Sequence, residues 1–502
     1  GREPVFTPWD AWGERVDRLE HTPLWQEAER VAATHGVVAT AYDGRHGRWN
    51  RVHQMALAYL FIPVTDIYGC PLAMTDGAAR TLLESGSEEL IAGAVPRLTT
   101  RDPERFWTSG QWMTELPGGS DVGRAGTVAR PDGEGGWILH GRKWFTSAIA
   151  SQMALVLARP EGNPEGGRGL AIFYVETRGA DGRMNRIRVD RLKDKLGTRK
   201  LPTAEIHLEG TPARLVGEPR DGVRQIAPML DITRTWNAVT SVALMRRGIA
   251  LARDYARRRV AFHAPLAEKP LHLDTLAGLE SEFRAAFHLT FHLVELLGER
   301  EASGLDEART ALLRLLTPVV KLTTARQAVA VLSEVVECFG GMGYLEDTGI
   351  PTLLRDAQVL PIWEGTTNVL SLEALRALGV GTALAAWHME VEMLGHGLRE
   401  PSVAALHSTA ADAIRSAERW LGEVRETDGD AVEAGARRFA LTLGRGLALA
   451  LLTRAAQEAM DSSGDRSTLA AARRFARHGV STVMPTDRGE SWALGRGERL
   501  KG

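Results

Sequence analysis

Of the 502 residues only two are cysteine, Cys70 and Cys338, far apart and outside any CxxC pair. A disulfide framework and a zinc ribbon are disfavoured on that count, and a reducing cytoplasm fits. Charge of one sign is lacking too: 61 Lys plus Arg stand against 63 Asp plus Glu, a net charge of −2. That argues against a general polyanion binder, though not against a local basic patch. No uninterrupted apolar run approaches the ~20 residues that span a bilayer; the segment 446–452 is far too short. There is no internal repeat or low-complexity tract, and Gly1-Arg2-Glu3-Pro4 carries no apolar signal region. A soluble cytoplasmic protein without membrane contact is expected.

What is present is a long chain with three textures. Its length suggests roughly three domains. Residues 1–110 read as a helical N-terminal domain, with helical apolar spacing over 24–33, 51–61 and 75–94, the last interrupted around Ser85-Gly86-Ser87. Residues 111–221 change to short apolar runs at 137–141, 154–158, 169–175 and 203–208, punctuated by Gly, Pro, Asn and Asp. No long helical pattern intervenes, so this reads as a central antiparallel β-domain and not as a Rossmann unit. Residues 222–380 read as a helical bundle: 225–258, 273–300, 308–339, and a fourth helix from Trp363 onward. Residues 381–502 add a helical extension at 403–424, 431–459 and 467–480, with an acidic turn at 426–430. The fold class expected is α+β, mostly α.

Five stretches carry chemistry. In Ile362-Trp363-Glu364-Gly365-Thr366-Thr367-Asn368 a carboxylate stands beside a glycine in apolar company. Desolvation raises a carboxyl group's pKa towards working pH and makes it a proton acceptor; the glycine admits a ligand close to the backbone. The competing reading is a helix N-terminus with Glu364 in its first turn. Met113-Thr114-Glu115-Leu116-Pro117-Gly118-Gly119-Ser120-Asp121 offers backbone amides and hydroxyls to a ligand, or is an ordinary turn. In Gly141-Arg142-Lys143-Trp144-Phe145-Thr146-Ser147, strand alternation points Phe145 and Ser147 to one face, suited to stacking on a flat ring and bonding its edge; an amphipathic strand with a buried Phe reads equally well. Arg257-Arg258-Arg259 followed by Phe262 suits phosphate, or a solvated basic helix end. Glu337-Cys338-Phe339-Gly340-Gly341 ends a helix, or admits a diphosphate.

In this order the motifs resemble one family, the acyl-CoA dehydrogenases, which are FAD flavoproteins; the likeness runs from about residue 50 to 380. The Thr-Glu-x-x-x-Gly-Ser-Asp loop is Thr114 to Asp121, and the following Gly-x-Lys strand is Gly141 to Ser147. The aromatic-Glu-Gly-Thr run is Trp363 to Thr366. The Lys143-Trp144-Phe145-x-Ser147 form, Trp363 and the long extension are most similar to the AidB-like branch.

The resemblance implies roles. Met113, Thr114 and Ser120 would lie along the flavin and the start of the acyl-CoA site. Phe145, Thr146 and Ser147 would lie against the isoalloxazine, with Ser147 near flavin N5. Arg259, Phe262, Glu337, Gly340 and Gly341 would hold the FAD of a neighbouring subunit in a homodimer or homotetramer, and Thr366 and Asn368 would contact FAD. Asp231, Arg234, Trp363 and Gly365 would face the thioester ligand. Glu364 would be the base; Thr233 stands where other members carry theirs. Ala261 replaces a common threonine, and Phe145 a frequent tryptophan. The implied activity is α,β-dehydrogenation of an acyl-CoA, with electrons passing to an electron-transferring flavoprotein. The alternative is a DNA-binding, damage-response flavoprotein, as the AidB-like branch suggests. Acidic and basic residues balance from residue 381 on, so nucleic acid is a disfavoured partner. No metal site is implied.

Overall fold

A computed structural model describes residues 3–379, 382–426, 429–485 and 487–500. The chain forms two compact units, Gly1–Leu244 with Thr352–Leu360, and Met245–Pro351 with Pro361–Gly502. The boundary expected at 380/381, and residues 427 and 428 of the expected acidic turn, lie outside the described residues.

The first unit opens with a hairpin that the helical reading missed. Strand β1 (Val5–Trp9) pairs antiparallel with β2 (Arg15–Glu20). Its turn is fixed by Asp10, whose carboxylate accepts from the N–H groups of Trp12 and Glu14, both at 2.8 Å. The helices follow as α1 (Pro23–Thr34), α2 (Asn50–Phe61), α3 (Gly69–Ser85) and α4 (Glu88–Leu98). Thr22 and Ser87 cap α1 and α4 through their hydroxyls, as Ser and Thr do at helix N-termini. The buried Asp76 carboxylate on α3 accepts from Arg51 on α2 and from Gln54.

The β-region contains β3 (Ser109–Trp112), β4 (Val128–Pro131), β5 (Trp137–Ser147), β6 (Met153–Pro160), β7 (Ala171–Glu176), β8 (Ile187–Leu192) and β9 (Thr203–Val216). The pairings close on themselves: β6 with β4, β4 with β5, β5 with β9, β9 with β7, and β7 with β6. Closure gives each of these five strands a partner on both sides, while β3 pairs with β6 and β8 with β9 outside the circuit. The sheet is mostly antiparallel, as expected, but β3 and β4 both run parallel to β6, a crossing that local patterns do not reveal. Trp112, Leu139, Val156, Phe173 and Ile206 belong to its core.

A short α5 (Gly222–Gln225) leads to the long α6 (Ala227–Arg258). In the second unit a two-residue hairpin, β10 (Val260–Ala261) and β11 (Ala264–Pro265), precedes α7 (Pro270–Ser303) and α8 (Glu307–Cys338). Helix α9 (Ile350–Ala357) belongs mostly to the first unit, and the second continues with α10 (Thr367–Leu378), α11 (Ala383–Gly395), α12 (Pro401–Arg425), α13 (Gly429–Ser463), α14 (Ser467–Arg477) and α15 (Arg488–Arg496). Of these, α9, α11 and α15 were not anticipated. Helix α13 packs on α7, α8, α10 and α12, so the extension shares a core with the helices before it. A Cβ on Gly444 of α13 would sit 2.2 Å from Thr323 Oγ1 on α8; only glycine permits that approach. Both α8 and α13 are long and apolar enough to cross a membrane by length and composition, yet most of each is buried inside the protein. Neither showed as an uninterrupted apolar run, because buried polar residues such as Lys321 break it.

Candidate active site

In the first unit the loop containing Thr114 is tied to β5, which contains Phe145, Thr146 and Ser147. Glu115 anchors the loop that contains Thr114, Gly118 and Ser120. Its carboxylate accepts from Lys143 Nζ at 2.7 Å, Thr127 Oγ1 at 2.5 Å and Gly126 N at 2.7 Å. Lys143 is fully buried and also donates to the Leu157 carbonyl at 2.7 Å. Burial pushes the Glu115 carboxyl up, but Lys143, Thr127 and Gly126 outweigh it and hold the group below its usual range. Burial pulls Lys143 down against the attraction of Glu115; with this many donors on the carboxylate, the ionised pair is the state that satisfies every group. Trp144 N donates to Thr114 O at 3.0 Å, tying the loop to β5.

The β5–β9 register shifts between Lys143 and Thr146. From Phe145 on, the burial pattern follows the expected alternation, with Phe145 half-exposed, Thr146 buried and Ser147 half-buried. Lys193 Nζ lies 3.3 Å from the Trp144 ring centroid and 4.8 Å from that of Phe145, a cation–π contact that steadies both rings. Ser147 Oγ lies 3.1 Å from Thr203 Oγ1. Thr146 turns inward: it is buried and donates to Ala204 O at 2.7 Å, so it offers a ligand only its main chain. An exposed aromatic face with a hydroxyl two residues away fits a flat heterocycle such as a flavin. Met113 follows β3, and Gln111 Nε2 lies 3.7 Å from its sulfur. Ser120 is exposed, Arg234 and Thr233 are buried on α6, and Asp231 is half-buried there.

In the second unit Glu364 does not lie in the first turn of a helix. It has φ +57, and Gly365 has φ +105; neither is helical, and α10 begins only at Thr367, capped by Thr366 Oγ1 accepting from Val369 N. A non-glycine residue in the left-handed region is uncommon and marks a position held by its surroundings. The holder is Lys321 on α8, buried, which donates to Trp363 O and Gly365 O at 2.7 Å each. Glu364 and Trp363 are half-buried, and the Trp363 indole nitrogen is buried without a partner among the described residues. Asn368 is exposed on the first turn of α10.

The ends of α6 and α8 also meet: the Tyr255 and Phe339 rings stack at 4.6 Å. Beyond them Arg259, Glu337, Gly340 and Gly341 are exposed, and Phe262 is 89% exposed. Sequence reasoning missed Lys193, Lys195, Thr203 and Lys321. A lysine inside the apolar run Val319-Val320-Lys321-Leu322 was the available signal for the last.

Residues 110–211 match the family model described as acyl-CoA dehydrogenase, middle domain, and residues 220–379 match the C-terminal domain model. Residues 1–104 match the adaptive response protein AidB N-terminal domain. The chain is 44% identical over 479 residues to acyl-CoA dehydrogenase family member 11 of Caenorhabditis elegans, covering 92% of this chain and 77% of that protein. The chain belongs to the acyl-CoA dehydrogenase family. Another relative is the Escherichia coli putative acyl-CoA dehydrogenase AidB, 33% identical over 75% of this chain and 69% of that one. The crystal structure of C. elegans ACDH-11 in complex with C11-CoA superposes with a TM-score of 0.92 at 41% identity, over 96% of this chain and 84% of that one. The expected family, its fold and the AidB-like affinity are thus borne out for this acyl-CoA dehydrogenase.

Proposed function

We propose that this family member is a cytoplasmic, FAD-dependent enzyme that introduces an α,β double bond into an acyl-CoA thioester, with Glu364 as the base. The observation that carries the reading is the Glu364 backbone, left-handed and bracketed by the Lys321 ammonium. A general base must be held in place before it works. FAD, when bound, supplies the hydride acceptor for the β-hydrogen. Glu364 takes the α-proton onto its carboxylate. The Glu364 main-chain N–H donates to the thioester oxygen as negative charge gathers there; a preorganised donor of this kind is typically worth about 3–4 kcal/mol. Phe145, Thr146 and Ser147 would hold the flavin ring, and Met113, Thr114 and Ser120 would lie along it and the start of the acyl-CoA site. Asp231, Arg234, Trp363 and Gly365 contact the thioester ligand. Thr366 and Asn368 contact the dinucleotide, and Arg259, Phe262, Glu337, Gly340 and Gly341 hold that of a neighbouring subunit. An electron-transferring flavoprotein takes the electrons. Anaerobic bleaching of the bound flavin by a panel of acyl-CoAs tests this; a flavin that no acyl-CoA bleaches overturns it.

A second reading, nucleic-acid binding, is favoured by one feature of the second unit. A cavity of about 540 Å³ is lined by Arg253, Arg284, Arg473, Arg474 and Arg477, with Glu280. Glu280 pairs with Arg253 and Arg284, and Asp274 with Arg474. That leaves Arg473 and Arg477 to face solvent, a small patch against a balanced extension. Duplex DNA binding with a steep salt dependence would support this reading; a flat one removes it.

A further inference from the structure

Behind Ser147 the first unit holds two more polar side chains that the proposed reaction leaves unused. Thr203 Oγ1 receives a hydrogen bond from Lys195 Nζ at 3.0 Å and lies 3.1 Å from Ser147 Oγ. Lys195 Nζ also donates to Leu201 O at 2.8 Å. Its loop is fixed at the other end, where Thr198 N donates to Asp356 Oδ1 at 2.6 Å. An ammonium has no lone pair, so Thr203 Oγ1 can only accept from it. The 3.1 Å contact allows either hydroxyl to donate; with Thr203 donating to Ser147 Oγ, the Ser147 proton is left for the open face beside Phe145. The three groups form a hydrogen-bonded line in which only the step from Lys195 to Thr203 has a fixed direction, and in the arrangement with Thr203 donating the polarity runs from the charged end.

We propose that Lys195, acting through Thr203, sets Ser147 as a hydrogen-bond donor towards the flavin ring and lends that ring its positive charge, so that the pair tunes the flavin's reduction potential. The proposal rests on the flavin placement put forward above. Lys195 and Thr203 are positioning residues; neither is assigned contact with substrate or ring. A cation two hydroxyls from the ring favours the electron-rich, reduced cofactor, since local charge is felt strongly where water is excluded.

The groups facing Lys195 are Cys70, Asp356, Glu3 and Arg199. Burial pulls the lysine down to about 8, against Cys70, Asp356 and Glu3 and with Arg199. Burial raises Asp356 to about 6, aided by Asp66 and opposed by the Thr198 N–H, Arg355 and Lys195. Between those values Lys195 is charged and Asp356 ionised. Above the upper one Lys195 loses its charge and gains a lone pair, so Thr203 is no longer confined to accepting from it and Ser147 is free to act as an acceptor.

The experiment is a dye-coupled titration of the midpoint potential of the FAD-loaded protein from pH 6 to 9.5. Lys195→Met and Thr203→Val are expected to shift the reduction equilibrium at least tenfold towards oxidised flavin below pH 8, about 30 mV for a two-electron couple. Both are expected to lose the steepening that the wild type shows near pH 8. Thr203→Ser keeps the hydroxyl and is expected to restore both. A purely structural role for Thr203 would leave potential and pH profile unmoved. Thr203→Val, nearly isosteric, decides the matter alone if Lys195→Met fails to hold FAD. Variants that hold FAD with wild-type potential and pH profile overturn the line while leaving the flavin placement standing. A wild-type protein that holds no FAD overturns the placement, and the proposal with it.

Discussion

Lys321 donates to the carbonyl oxygens of Trp363 and Gly365, the residues on either side of Glu364, at 2.7 Å each. One buried ammonium in the middle of α8 thereby fixes a three-residue turn that no regular element contains. The proposed base is held by its main chain, and the holder lies 43 positions earlier in sequence than the base, at Lys321.

Lys321→Met should therefore impair catalysis more than cofactor binding. The variant leaves two main-chain carbonyls without their donor, a penalty of roughly 1–3 kcal/mol for each that stays buried. Expected is a lower melting temperature, retained FAD, and a rate of flavin reduction reduced at least tenfold. Stopped-flow reduction at saturating acyl-CoA is the check; a wild-type rate would show that the turn does not need its ammonium.

Lys143→Met should destabilise the first unit strongly. It strands the Glu115 carboxylate, which is buried and would keep only Thr127 and Gly126 as donors. Breaking a buried pair by removing one partner typically costs about 3–5 kcal/mol. The double variant Lys143→Met/Glu115→Leu removes the stranded charge, and urea unfolding should find it more stable than the single variant. The opposite order would mean that the carboxylate is satisfied without its lysine.

Much of this was legible in the chain. Helical spacing located α1, α2, α6, α7, α8, α12, α13 and α14, because each buries a stripe at that period or lies buried all round. The β1–β2 hairpin was missed because its strands are short and half-exposed, with charged residues in β2. The fourth helix begins at Thr367 and not at Trp363 as expected, for a physical reason: Thr366 is a true helix cap, but Glu364 and Gly365 before it have positive φ in a turn held by a distant lysine, which local propensity cannot express. The contact from Lys195 to Thr203 depends on how a loop folds back on β9, and a sequence pattern does not encode it.

Acid should destabilise the second unit through Glu282. This carboxylate accepts from Gln327 Nε2 at 2.8 Å, pairs with Arg445 at 3.1 Å and meets His478 Nδ1 at 3.0 Å. Burial raises it, but His478, Arg445 and Gln327 outweigh that and bring it from 4.5 to about 2. The folded value lies below the unfolded one, so the folded state binds fewer protons between them. The stabilisation is complete above about pH 4.5 and disappears as pH falls towards 2, roughly 3 kcal/mol in all. Glu282→Gln should be less stable than wild type at pH 6, with the gap closing at pH 2.5. A gap that is constant with pH in denaturant titrations would remove Glu282 as the cause.

Phe262 is 89% exposed at φ +50, beside Arg259 and the two-residue hairpin β10–β11. An aromatic ring presented this way in one chain suits a second copy and its cofactor. Phe262→Asp should lower both FAD occupancy and assembly size together in light scattering with absorbance detection. Full flavin on a monomer would contradict the shared-cofactor reading.

Glu364→Gln tests the base itself. Glutamine is nearly isosteric and keeps the main-chain N–H and the carbonyls of Trp363 and Gly365 to which Lys321 donates, so fold, FAD and acyl-CoA affinity should persist. What disappears is the group that can take a proton. General-base catalysis is typically worth about 100- to 10,000-fold, and the loss should appear in the rate of anaerobic flavin bleaching with little change in the acyl-CoA concentration needed to saturate it. Loss of rate with unchanged saturation is the sign of an interaction made only in the transition state. Thr233, a buried hydroxyl on α6, has no carboxylate with which to substitute. Bleaching within about tenfold of wild type, short of the usual general-base effect, would show that the α-proton leaves by another route.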